Sequence, residues 1–379
     1  MNCLAQSQKE IEKLSLPPQN DELEITVFGP GIGEAIVVHL GNGDWIIVDS
    51  CRSPLSKRPV PLEYLELLGV DVSTKVIRVI ATHWHDDHVA GLSEVVELCG
   101  QATVWLTPAI KHDELITLIA HYSKRQCSGF GSGVDEMSKV LEVIRKRSGH
   151  FQLALENTSV IHTATTGGFC EIICLAPSAT AITNAQIRTA QELKSAFKQQ
   201  LRLPSFIEND GSIVLRIKAG NHLLLLGGDL EEKGNPSMGW LKAISTHLSL
   251  GSARDVQLFK IPHHGSINGY HPPIWSTVLQ PNPWALITPY RRGQKPLPAA
   301  EGLAAIAQHT DRIYVTAATT LKKVKHSDQG VHKTTQEVTV SGIREAFPRN
   351  GAVRLRCKIT DPGHVDSWRA ETFGSAFKI

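Results

Sequence analysis

Three imidazoles and a carboxylate fall within six positions of the run ATHWHDDHVAGL, as His83-x-His85-x-Asp87-His88. Placed together, such groups carry a large desolvation and self-repulsion cost unless a cation holds them. Alternate residues of an extended loop point the same way, so His83 and His85 can reach one ion while Asp87 and His88 face a second. Neutral imidazole with carboxylate suits Zn²⁺, and equally Mn²⁺ or iron, without selecting among them. Two later segments offer the same kind of donor. In HLLLLGGDLEEKG an apolar run ends at Gly227-Gly228-Asp229, where a carboxylate is poised to bridge two ions. In VQLFKIPHHGS another apolar run delivers His263 and His264 into a Gly-Ser turn. Alone, an Asp at a strand end reads as a cap or turn residue. Three strand-end deliveries of hard or borderline donors in one chain point to a metal centre.

Those donors need strands to carry them. Residues 23–28, 35–40 and 44–49 read as three short strands separated by GPGIG and GNG, both strong turn signals. A helical stretch at 61–68 precedes the apolar runs 76–81 and 102–106, with helical spacing over 89–98 between them. Two helices are expected at 111–124 and 134–147, joined by CSGFGSG, as an insertion. Strands resume near 159 and at 169–175, followed by a helix over 185–201. Runs 212–218 and 222–227 form a hairpin turned by Ala-Gly-Asn, and strands at 256–261, 285–288 and 313–316 flank a helix at 299–308. Beyond about 321 the texture turns polar, with strand-like runs at 336–341 and 352–359, a C-terminal β extension. Strands alternating with helices argue for a layered α/β fold.

Composition bounds the function. At 379 residues the chain is long enough for two domains, or one large domain with additions, and 41% hydrophobic with 20% charged residues is ordinary globular usage. Lys+Arg 39 against Asp+Glu 37 gives +2, so global charge predicts no polyanion partner and a nucleic-acid role must rest on local patches. One such patch is Lys194, Lys198 and Arg202, recurring every four residues, which reads either as a solvated helix face or as a phosphate-facing groove. Seven scattered cysteines without a CxxC pair argue for reduced, buried thiols rather than a disulfide framework. The N-terminus MNCLAQSQKEIEKLSLPP lacks the basic start and apolar block of a secretory signal, and no apolar run approaches the roughly 18 residues of a membrane span. A cytoplasmic chain without a membrane partner is expected.

The order HxHxDH, then NDGSIVLRIKAGNHLLLLGGD, then LFKIPHHGS resembles the metallo-β-lactamase superfamily, and within it the hydrolase domain of ComEC-type DNA-uptake proteins and their soluble relatives. VFGPGIGEAIVVHLGNGDWIIVDS is similar to that family's opening hairpins, and the likeness extends over about residues 23–320. It implies a four-layer αββα fold, with a lead over 1–22, a hydrolase domain over 23–320 carrying a helical insertion at about 108–150, and the extension at 321–379. It also implies that His83 and His85 bind a first metal, that Asp87, His88 and one of His263 or His264 bind a second, and that Asp229 bridges. His264 is favoured as the ligand, leaving His263 to support the ligands from behind or to handle a proton, while Asp49 orients the site. The family usually supplies one more histidine to the first metal, where this chain reads EIICLAPSAT with Ala176 at the expected place. One ion or two, Zn²⁺ or Mn²⁺, therefore stay open.

A bound cation of this kind lowers the pKa of a water towards neutrality and offsets charge on a substrate oxygen. The resemblance implies a phosphodiesterase, most readily a nuclease, with Asp87, Asp229 and His263 in catalytic roles. Ser266, Asn209 and Ser212 are candidates to touch phosphate, beside the Lys194, Lys198 and Arg202 stripe. Against it stand a hydrolase of a small molecule (cyclic nucleotide, phosphocholine ester or lactone) and a partner-binding component with a degenerate metal site, using the C-terminal extension to hold a protein.

Overall fold

The computed structural model describes residues 8–109, 132–147, 149–165, 168–199, 209–292, 296–318 and 351–379. Two eight-stranded sheets face each other. The first holds β1 (Glu22–Phe28), β2 (Ala35–Leu40), β3 (Trp45–Val48), β4 (Val76–Ala81), β5 (Thr103–Leu106) and β6 (Phe151–Leu153). The second holds β7 (Ser159–Thr165), β8 (Gly168–Ala176), β9 (Val214–Ala219), β10 (His222–Leu226), β11 (Val256–Lys260), β12 (Leu279–Ile287) and β13 (Ile313–Val315). The C-terminal residues join both: β14 (Gly351–Lys358) and β15 (Arg369–Gly374) extend the first sheet beside β1, and β16 (Phe377–Lys378) extends the second beside β13. Their order is β15-β14-β1-β2-β3-β4-β5-β6 and β16-β13-β12-β11-β10-β9-β8-β7.

Period-two alternation sorts the side chains into layers. On β2, Ile36, Val38 and Leu40 enter the core between the sheets, while Ala35 and Val37 face the outer core. On β10, Leu224 and Leu226 face inward, while Leu223 and Leu225 face out. Both faces of each sheet are thus covered, which is why these strands read as apolar runs. Helices α1 (Gln8–Leu14), α2 (Val60–Leu67), α3 (Val72–Lys75), α4 (Asp86–Val89), α5 (Leu92–Leu98) and α6 (Ser132–Lys146) belong to the first half. Helices α7 (Ala179–Gln199), α8 (Gly239–Ser249), α9 (Pro272–Thr277) and α10 (Ala300–Ala307) belong to the second. Val60, Leu62, Leu92, Val95, Met137 and Val140 pack on the outer face of the first sheet, and Trp240, Ala243, Ile274 and Ile306 on that of the second. The result is αββα layering.

Several elements differ from expectation. The helix read at 89–98 begins at Leu92, because Gly91 turns left-handed (φ 87) and separates it from α4. The helix read at 185–201 starts earlier, at Ala179, and the strand read at 285–288 runs from Leu279. α8, α9, β15 and β16 were not anticipated. The expected helix at 111–124, the strand at 336–341 and Arg202 lie outside the described residues. Among the described residues, Cys51, Cys99, Cys170, Cys174 and Cys357 are free and buried, and no helix is long and apolar enough to cross a membrane.

Candidate metal centre

Every candidate donor stands just past the C-terminal end of a parallel strand, where open α/β sheets place their ligands. β3 ends at Asp49, β4 at the His83–His88 loop, β10 at Asp229 and β11 at His263 and His264. The first sheet therefore brings His83, His85, Asp87 and His88, and the second brings Asp229 and His264. Gly228 makes the last approach possible. Its φ is +51, and a Cβ there would meet Ser212 Oγ at 2.5 Å and the Ile213 carbonyl at 2.7 Å. His263, His264 and Gly265 take three successive left-handed conformations (φ 47, 53 and 78). Such backbone costs about 1–3 kcal/mol for a non-glycine residue and clusters at working sites.

Asp229 lies at the centre. Its Oδ1 is 3.3 Å from His88 Nε2, and its Oδ2 is 3.6 Å from both His83 Nε2 and His264 Nε2. Asp87 Oδ2 is 3.0 Å from His264 Nε2 and 3.9 Å from His88 Nε2. The donor atoms of His83, His85 and Asp229 lie within 4.8 Å of one another. His263 does not join them. Its Nδ1 meets Glu231 Oε1 at 3.0 Å, and its Nε2 is 3.4 Å from Asn209 Nδ2. Of the histidine pair, His264 is the one the fold turns inward.

Tautomers follow from the far side of each ring. His88 Nδ1 donates to Asp49 Oδ2 at 2.7 Å, and His264 Nδ1 donates to the Thr288 carbonyl at 2.8 Å. The Thr82 hydroxyl donates to Asp49 Oδ2 at 2.6 Å, so its oxygen is left to accept from His83 Nδ1 at 3.0 Å. All three Nε2 atoms then face one another across Asp229, and that of His264 also faces Asp87 Oδ2 at 3.0 Å. Histidines that bind metal are held this way by an acceptor on the other nitrogen. His83 Nε2, His88 Nε2 and Asp229 Oδ1 are buried and make no hydrogen bond. Buried polar atoms left without a partner carry a cost of about 1–3 kcal/mol each, and a cation would answer all three. The donor set fits a divalent ion.

Electrostatics agree. Burial pulls His83 well below the ordinary imidazole value, with the charge of His88 adding to it. Burial also acts on His88, but the carboxylates of Asp229, Asp49 and Asp87 overcome it and hold the ring well above that value. The same contest raises His264, through Asp229 and Asp87. Desolvation would lift Asp229, yet His88 and His264 keep it well below the carboxylate range. The carboxylates thus demand positive charge, which a divalent ion would supply without protonating the Nε2 atoms.

Other sequence candidates are placed as follows. Ser212 is fully buried and its Oγ accepts from the Asp229 backbone N–H at 2.9 Å, so it supports the carboxylate. Asn209 Nδ2 donates to Glu231 at 2.9 Å, close to His263. Ser266, 9% exposed, accepts from Asn268 N. Lys194 and Lys198 belong to α7, whose Arg188 reaches Asp210 at 3.2 Å beside Asn209. Ala176 ends β8 within the outer apolar core of the second sheet, paired with Val214.

Four residues escaped the sequence reading. Glu34 is 1% exposed and ion-paired to the buried Lys260 at 2.6 Å. Its carboxylate also accepts from the Thr288 hydroxyl. Tyr290 stacks on His264 at 5.3 Å and 25°. The one available signal was a lysine at the end of the apolar strand VQLFK. The donor atoms of Glu34, His88 and His264 also lie within 4.8 Å of one another. Glu34, however, faces the Nδ1 side of His264, at 4.0 Å, and is already neutralised by Lys260.

No protein of curated function matches the chain. Among solved structures, the metallo-beta-lactamase fold protein YhfI from Bacillus subtilis is 13% identical, covering 63% of this chain and 70% of its own, with a TM-score of 0.32. A metallo-beta-lactamase with a HARLDQ motif from Cronobacter sakazakii is 12% identical, covering 66% of this chain and 79% of its own, with a TM-score of 0.31. The segment that carries β2 to β5 and the whole His83–His88 loop, residues 28–113, matches the family model of the Metallo-beta-lactamase superfamily.

Proposed function

We propose that the chain is a metal-dependent hydrolase and that its substrates are phosphodiesters, with nucleic acid the first class to test. The observation that carries the reading is the convergence of the His83, His88 and His264 Nε2 atoms on Asp229, the first two buried without a hydrogen bond. His83, His85 and Asp229 would hold one divalent ion, and Asp87, His88 and His264 a second, with Zn²⁺ and Mn²⁺ the ions to try. When bound, such an ion supplies a water of lowered pKa and offsets charge on a phosphoryl oxygen.

The chain's own groups do the rest. Asp49, Thr82 and Thr288 fix ring orientation from behind. His263 sits at the rim, 19% exposed at its side chain, and is oriented by Glu231. That hydrogen bond, more than any other contact, holds the Glu231 carboxyl at about 2. His263 Nε2, 3.4 Å from Asn209 Nδ2, would be the atom through which this pair meets a substrate or leaving group. Phosphodiester substrates are supported by the resemblance of HxHxDH, GGD and HHGS to the ComEC-type hydrolase domain, and by the basic positions Arg188, Lys194 and Lys198 sharing α7.

End-labelled single-stranded DNA, double-stranded DNA and RNA, each incubated with Mn²⁺ or Zn²⁺, test the proposal, with Asp229→Ala and Asp87→Ala as controls. The expected result is cleavage by the native chain that both variants lose while remaining folded. Turnover of bis(p-nitrophenyl) phosphate without polymer cleavage would reassign the substrate to a small diester. Retained turnover in Asp229→Ala would sink the mechanism.

A further inference from the structure

Beneath the metal centre, Lys260 and Glu34 form the one Lys or Arg to carboxylate pair, among the described residues, with both side chains essentially fully buried (0% and 1%). Burying such a pair gains little over apolar packing of the same volume, so stability does not account for it. Its connections do. Glu34 lies between β1 and β2 in the first sheet, and Lys260 ends β11 in the second. Lys260 Nζ reaches Glu34 Oε2 at 2.6 Å and the Ile261 carbonyl at 2.9 Å. The same Oε2 accepts from the Thr288 hydroxyl, and the Thr288 carbonyl accepts from His264 Nδ1 at 2.8 Å. On the other side, the Glu34 backbone N–H donates to the Asp87 carbonyl at 2.8 Å. One residue thus touches the supports of a donor from each sheet.

We infer that Glu34, charged and oriented by Lys260, is a positioning residue that sets the two ligand-bearing halves against each other. The inference rests on the metal-binding reading of the centre, and extends it to residues that hold no metal. Glu34 acts through Thr288 on His264 and through its own backbone on Asp87. Lys260 holds the Glu34 carboxylate at 2.6 Å, where it would not serve as a ligand.

Calorimetric titration with Mn²⁺ alone, beside thermal unfolding, separates the possibilities. Glu34→Gln and Lys260→Met each weaken Mn²⁺ binding about 10–100-fold, the range for residues that orient ligands. The double variant Glu34→Gln/Lys260→Met recovers thermal stability, since no unpaired charge stays buried, but its Mn²⁺ affinity stays low. Affinity that returns together with stability would show a merely structural pair and overturn the inference. Native affinity in Lys260→Met would overturn it too, by making Glu34 a ligand freed by its partner's loss. Should Lys260→Met not fold, Thr288→Val keeps the ion pair and removes one link. It is expected to bind Mn²⁺ several-fold more weakly, and unchanged binding sinks the idea. A native chain that binds neither Mn²⁺ nor Zn²⁺ removes the metal centre itself and the inference with it, whereas native binding with unaffected variants removes the inference alone.

Discussion

Asp49 shows how much of the candidate centre depends on groups that stand behind the donors. It accepts from His88 Nδ1 at 2.7 Å, Thr82 N at 2.7 Å and Thr82 Oγ at 2.6 Å, from a left-handed backbone (φ 59). Asp49→Asn replaces an acceptor with an amide that can present a donor to His88. Metal affinity should fall about 10–100-fold with the fold intact, and native metal content after dialysis would refute this. Tyr290 permits a finer test. Its ring braces His264, and an aromatic stack is worth about 0.5–1.5 kcal/mol. Tyr290→Phe should therefore keep native Mn²⁺ affinity, while Tyr290→Ala loses several-fold in the same titration. The His83–His88 spacing was legible because its chemistry is local. Glu34 was not, since its meaning comes from Thr288, 254 positions away. Lys260 was half legible: a charge inside an apolar strand demands a partner, but nothing in the run names it.

Elements were legible where one signal ruled. β2 and β10 read cleanly as apolar runs bounded by turn signals, as did the β9–β10 hairpin, observed with His222 opposite Ala219. α8 was missed although Trp240, Ala243, Ile244 and His247 recur with helical spacing and are buried, a signal that Gly239 at its start obscured. β15 offered no signal at all. RAETFG has no alternation, and only pairing with β14 makes it a strand. β14 itself is no ornament. It pairs with β1 along its length, from Glu22↔Lys358 to Phe28↔Ala352, and Val353 and Leu355 enter the core between the sheets. Leu355→Ala should cost about 2–5 kcal/mol, read from urea unfolding. A loss under 1 kcal/mol would mean β14 is dispensable to the core.

Across the whole molecule, α1 is tied to β14 and β15 by charged side chains, among them Lys13, whose Nζ is 3.1 Å from Glu371 Oε1. Arg354 is 1% exposed, donates to the Leu14 and Lys13 carbonyls at 2.9 and 2.8 Å, and pairs with Glu371 at 2.7 Å. Burial raises the Glu371 carboxyl, but Arg354 outweighs it and holds the group below its ordinary value. A depressed carboxyl stabilises the folded chain above its unfolded pKa, about 4.3, and loses that contribution as pH falls through the folded value. Glu371→Gln should thus lower the melting temperature at pH 7, with the gap to the native chain closing below pH 4. A gap that persists in acid would exclude the ionic account.

The pairing of Arg354 with Leu14 spans 340 positions, and that of Asp87 with His264 spans 177. Distance along a chain is also time. Ribosomes add about 5–20 residues per second, so Asp87 waits on the order of ten to thirty seconds for His264 to exist. For longer still, β1 offers a bare edge to any passing strand, the kind of edge that invites aggregation. A nascent chain short of His264 therefore lacks one donor of the candidate centre, and one short of β14 leaves β1 unpaired on one side.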